Sequence, residues 1–98
     1  MTWGTNTEHQ TVVPQLPQAC KDTYNAWAAN INNRHQDPRN AAKSLGKEVM
    51  YEVLKTSGKN KYCSIRLSKE HRVYFIQNDD NQVCDIRKVG SHQKPSGF

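Results

Sequence analysis

Ser64-Ile-Arg-Leu-Ser-Lys-Glu-His-Arg-Val-Tyr-Phe75 decides how this chain is to be read. Two alternating stretches flank a polar centre at Ser68-Lys69-Glu70, the pattern of a tight β-hairpin. Cys63, Ile65 and Leu67 take one side of the first strand, and Ser64, Arg66 and Ser68 take the other. Across the turn, Val73 and Phe75 separate likewise from Arg72 and Tyr74. One face is core; the other is basic and rich in hydroxyls. A guanidinium is a planar fork whose donors match phosphate oxygens in pairs, so Arg66 and Arg72 on one face suit a phosphodiester. Taken alone, a solvated outer face explains them slightly better.

Charge supports the sharper reading. Residues 55 to 72 hold Lys55, Lys59, Lys61, Arg66, Lys69 and Arg72 against Glu70 alone, whereas the other eighty residues balance eight basic with eight acidic side chains. The whole net charge of +5 therefore sits at the hairpin. Such a field draws a polyanion to one place, nucleic acid first and an acidic protein second. A membrane is not expected: no basic amphipathic helix and no apolar run of spanning length occurs. The three cysteines, Cys20, Cys63 and Cys84, are odd in number, widely spaced and at apolar positions. They suggest neither a disulfide framework nor a metal site, and a reducing, cytoplasmic setting fits them. Met1 to Gln10 lacks the apolar core of an export signal.

Working outward, residues 1–98 read as one domain with a thin core. Residues 1–15 are an irregular polar arm in which Val12 and Val13 suit an edge strand. Leu16, Cys20, Tyr24, Trp27 and Ile31 recur at helical spacing, predicting a helix from Pro17 to about Arg34. Asp37-Pro38 caps a second, short helix over 38–45 that Gly46 ends. Val49 to Leu54 is a strand, Thr56 to Asn60 a turn, and the hairpin strands run over 62–68 and 71–77. After a turn at Asn78 to Asn81, the last strand spans Val83 to Val89, where Val89 falls out of phase unless a bulge near Lys88 restores it. The tail, 91–98, is expected to be loose apart from His92. The fold class is α+β, with N-terminal helices packed on one face of a C-terminal antiparallel β-sheet.

Two further groups bear on chemistry. Glu52 interrupts an apolar run; on the arginine face it would stay ionised beside the guanidiniums and act as a base, although a lone strand glutamate is usually just solvent-facing. His92 follows Gly90-Ser91, where a small-residue turn could swing an imidazole over the sheet, although a tail histidine is more often inert. His71 adjoins Arg72 but points the other way, so it packs or sits at the turn. No cofactor or metal is implied. An acid, a base and cations suffice to cleave RNA, because the ribose 2′-hydroxyl is an internal nucleophile.

These residues resemble the RelE/ParE superfamily of bacterial toxin–antitoxin modules, especially its YoeB-like ribosome-dependent mRNA endonucleases. The family segment Ser-x-Arg-(Ile/Leu)-(Ser/Thr)-x-Glu-His-Arg-(Leu/Val) is matched without a gap by Ser64 to Val73, its Glu-x-Leu-Lys by Glu52 to Lys55, and its histidine after the last strand by His92. The resemblance implies a metal-independent endoribonuclease with Glu52 as base, Arg66 and Arg72 as phosphate and transition-state ligands, and His92 as an acid or its support. Around them, Lys55, Lys59, Lys61, Ser64, Lys69, Tyr74 and Arg87 are expected to hold RNA. The implied partners are mRNA, the ribosome and a cognate antitoxin or immunity protein. The chain departs from the family where Gln93 replaces a terminal tyrosine, for which Tyr74 or Tyr62 could substitute, and in its polar N-terminal arm. Three alternatives remain: a ParE-like gyrase inhibitor, a nuclease domain of a larger secreted toxin, and a non-catalytic RNA-binding module.

Overall fold

The computed structural model describes residues 2–98. The chain runs β1 (Gly4–Asn6), β2 (Thr11–Val12), α1 (Gln18–Asn32), α2 (Pro38–Lys43), β3 (Tyr51–Ser57), β4 (Asn60–Arg66), β5 (His71–Asn78) and β6 (Val83–Ser91). The four long strands form an antiparallel meander in the order β3-β4-β5-β6. Both helices lie on one side, which is the α+β architecture expected. The hairpin alternation holds: Ile65 faces Val73 and Cys63 faces Phe75, all without solvent exposure, while Arg66 lies opposite Arg72.

The sheet is mixed rather than wholly antiparallel. β1 and β2 both run parallel along the outer edge of β6, so the arm is not irregular throughout. They cover backbone groups that would otherwise form an open edge. With three and two residues they are too short to show a period in the sequence. Gly90 permits this approach: a Cβ there would lie 2.4 Å from Val13 Cγ1.

The helices pack as their stripes dictate. Leu16, Cys20, Trp27 and Ile31 are buried, and the Trp27 ring meets Phe75 at 5.0 Å. Trp27 Nε1 donates to the Pro38 carbonyl at 3.0 Å, which joins the start of α2 to the core. Asp37 caps that helix through the Asn40 amide at 2.9 Å, with Pro38 at its first position. Cys20, Cys63 and Cys84 are buried free thiols. Among the described residues no helix is long and apolar enough to cross a membrane.

Two bulges set which side chains face outward. In β6, Phe75 pairs with Ile86 and Tyr74 with Lys88, so Arg87 is the extra residue and Val89 returns to the core. In β3 the shift falls between Val53 and Lys55. This strand starts and ends later than its apolar run, because Ser57 still pairs with Asn60. The turn shrinks to Gly58-Lys59, with Gly58 at φ +60°, a conformation that suits glycine at the first loop position of a tight hairpin. The next turn is also displaced by one residue: Gln82, not an asparagine, takes the positive φ of 55°.

Candidate functional site

The sheet face away from the helices gathers the residues singled out in the sequence. Glu52 pairs with Ser64, Ser64 with Tyr74, and Tyr74 with Lys88, so one row crosses four strands. The adjacent row holds Arg66, Arg72 and Gly90. Neighbouring strands lie about 4.8 Å apart, so the carboxylate, the hydroxyl and the phenol are spread over roughly 10 Å across β3, β4 and β5, with the two guanidiniums in the next row. Arg66 Nε donates to the Ser68 carbonyl at 3.3 Å, which steers its fork along the hairpin end. A cavity of about 250 Å³ opens here, lined by Glu52, Leu54, Ser64, Arg72, Tyr74, His92 and Lys94.

The tail reaches this face as well. Tyr74 Oη donates to the His92 carbonyl at 2.6 Å, and Lys88 Nζ donates to the Gln93 carbonyl at 3.0 Å. The Phe98 ring then sits edge-on against Tyr62 at 5.0 Å and Tyr74 at 5.9 Å. The segment expected to be loose thus carries three attachments that hold His92 at the rim of the cavity. Burial pushes the Tyr74 phenol up from its usual pKa, with Arg72 pulling it down and Glu52 pushing it further up. It remains a protonated donor to His92 at neutral pH.

Other expected RNA contacts are placed differently. Lys55 lies over the Tyr62 ring at 4.6 Å, on the outer face. Lys69 is exposed in the turn between β4 and β5. Arg87 occupies the β6 bulge and pairs with Asp85 at 2.9 Å. Lys59 is held by Asp80 at 3.0 Å. Lys61 is not on this face: it alternates with Tyr62 onto the helix side and pairs with Asp79 at 2.7 Å. There it joins a chain in which Tyr51 Oη donates to Gln77 Oε1 at 2.7 Å and Gln77 Nε2 donates to Asp79 Oδ1 at 2.6 Å. Burial pushes the Tyr51 phenol well above its usual range. Two of the lysines in the basic run are therefore neutralised by the following turn, which sequence counting over residues 55 to 72 leaves out. His71, the first residue of β5, ties that strand to the turn, its Nδ1 meeting Ser68 Oγ at 2.8 Å.

Sequence reasoning missed Lys88, Lys94 and Phe98. No local pattern marks them, because their place depends on how the tail folds back. The one available signal was an aromatic residue in an otherwise polar segment.

No protein-family model matches the chain, and no curated protein matches it significantly in sequence. Among solved structures, the fold is similar to the crystal structure of the archaeal RelE–RelB complex from Pyrococcus horikoshii OT3, with a TM-score of 0.63 at 18% identity. That match covers 97% of this chain and 100% of the other, so the two share the RelE-like α+β architecture over the matched residues.

Proposed function

We propose that this protein is the toxin of a toxin–antitoxin module, a metal-independent endoribonuclease of YoeB-like type that cuts mRNA on the ribosome in the cytoplasm. The observation that carries this reading is the cavity shared by Glu52, Ser64, Arg72, Tyr74 and His92, with Arg66 in the adjacent row. In the reaction, Glu52 takes the proton from a ribose 2′-hydroxyl, whose oxygen attacks the adjacent phosphorus. Arg66 and Arg72 hold the non-bridging oxygens as negative charge grows on them. The 5′-oxygen leaves with a proton supplied from the His92 side, giving a 2′,3′-cyclic phosphate and a 5′-hydroxyl.

An antitoxin partner is supported by the fold's likeness to a structure solved as a RelE–RelB complex. Inducing the chain in bacteria and mapping new mRNA 5′ ends on translated and untranslated transcripts tests the reading. Cuts confined to translated transcripts are expected, with strong loss in Glu52→Gln and Arg72→Ala. Growth arrest without such cuts would instead fit a gyrase inhibitor.

A further inference from the structure

A second cavity lies on the same outer face, farther from the hairpin turn. It has a volume of about 330 Å³, and its walls include Asn60, Tyr62, Asn78, Asn81, Asp85 and Arg87. Its position follows from the strand period: Ser64, Tyr62 and Asn60 are successive outward residues of β4, as are Tyr74, Ile76 and Asn78 of β5. At about 3.3 Å per residue, Asn60 stands roughly 13 Å from Ser64 along the strand. That span equals about four nucleotides stacked at about 3.4 Å each, and fewer in an extended strand.

The chemistry of these walls is that of an amide-lined slot. Asn78 Nδ2 donates to Asn60 Oδ1 at 3.2 Å, and the Asn81 backbone amide donates to Asn78 Oδ1 at 2.9 Å. The Asn60 Nδ2 group and the second Asn78 amide hydrogen remain as donors. Arg87 approaches only one oxygen of Asp85, through Nε at 3.0 Å and through its terminal nitrogen at 2.9 Å. The other oxygen, Asp85 Oδ1, is one of two buried side-chain polar atoms without a hydrogen-bond partner among the described residues. An unsatisfied buried acceptor of this kind calls for a donor.

Amide and carboxylate groups beside an aromatic wall match a nucleobase, whose edge presents donors and acceptors and whose faces stack. Tyr62 forms that wall and is the residue against which Phe98 rests. We propose that this cavity binds one unpaired base of the RNA strand whose phosphate occupies the Arg66 and Arg72 site, and that it sets base preference near the cut. The proposal rests on the ribonuclease reading and adds a specificity site to it.

The test is a titration of the ¹⁵N-labelled protein with 2′-O-methyl RNA hexanucleotides, which lack the attacking hydroxyl and carry each of the four bases at each position in turn. One base at one position should shift the side-chain amide signals of Asn60, Asn78 and Asn81 and bind about tenfold more tightly than the other three. Asn60→Ala should flatten that preference. Asp85→Asn, which replaces one of the two acceptor oxygens with a donor, should move it to another base, and keeps the test open if Asn60→Ala misfolds. Arg72→Ala should weaken all hexanucleotides alike. Binding that shifts the arginine site while the asparagine amides ignore base identity overturns the pocket and leaves the ribonuclease reading standing. A folded protein that binds none of the hexanucleotides also overturns the pocket, and the ribonuclease reading falls with it only if translated transcripts are left uncut as well.

Discussion

The Tyr74 hydroxyl and the His92 carbonyl are 2.6 Å apart, so the middle of the sheet holds the segment that carries the candidate acid. Tyr74 is 2% exposed, and its ring lies under the tail. Tyr74→Phe is expected to keep the fold, losing about 1 kcal/mol in urea unfolding. Amide exchange over residues 91–98 should quicken, and single-turnover RNA cleavage should fall while RNA affinity changes little. Equal loss of affinity and rate would mean that the tyrosine contacts RNA directly.

Arg66 and Arg72 face each other across the hairpin, and Arg66 Nε donates to the Ser68 carbonyl while Arg72 lines the cavity. Arg72→Lys keeps the charge but loses the paired donors, so it should lower the cleavage rate by about 10²-fold, close to the effect of Arg72→Ala. Rapid-quench measurement on bound RNA checks this. A lysine variant near full activity would reduce Arg72 to a source of general positive potential.

Gly90 touches the incoming arm so closely that Gly90→Ala should destabilise the protein by about 1–3 kcal/mol, as overpacking does. Adding Val13→Ala, which removes the methyl groups in the way, should recover part of the loss. Urea melts of the two single variants and the double variant measure this coupling.

The Lys61–Asp79 pair predicts one limb of the acid denaturation curve. Burial raises the Asp79 pKa, but the hydrogen bonds from Lys61 and Gln77 outweigh it and the net shift is downward. A carboxylate depressed in the folded state stabilises fully above its unfolded pKa of about 3.9, and that stability is lost as pH falls through the lower folded value. The pair is part exposed, so the contribution is about 1 kcal/mol or less. Asp79→Asn should lower stability slightly at neutral pH and flatten its fall below about pH 4 in thermal melts.

The hairpin, the apolar stripe of α1 and the Asp37-Pro38 cap were legible because each is a local pattern with a fixed period or a fixed cap. Val89 even announced the β6 bulge by breaking phase. Glu52 could be placed on the arginine face only once β3 paired with β4, a non-local register that its apolar run did not define. Lys61 shows the opposite failure. It counted toward the basic run by proximity in sequence, yet strand alternation sends it to the helix side and Asp79 neutralises it. The β-branched pair Val12-Val13 did point to the edge strand β2, whereas β1 and the folded tail were illegible, since each takes its structure from the surface it lies on.

In the proposed reaction, Glu52 and the two arginines cleave RNA through its own 2′-hydroxyl. Analysis of the termini left on a ribosome-bound mRNA by the purified protein tests it most directly. Ends bearing a 2′,3′-cyclic phosphate and a 5′-hydroxyl are expected, with loss of cutting by about 10²-fold or more in Glu52→Gln, the range that general acid–base catalysis supplies. Ends bearing a 5′-phosphate, or undiminished cutting by Glu52→Gln, would contradict it.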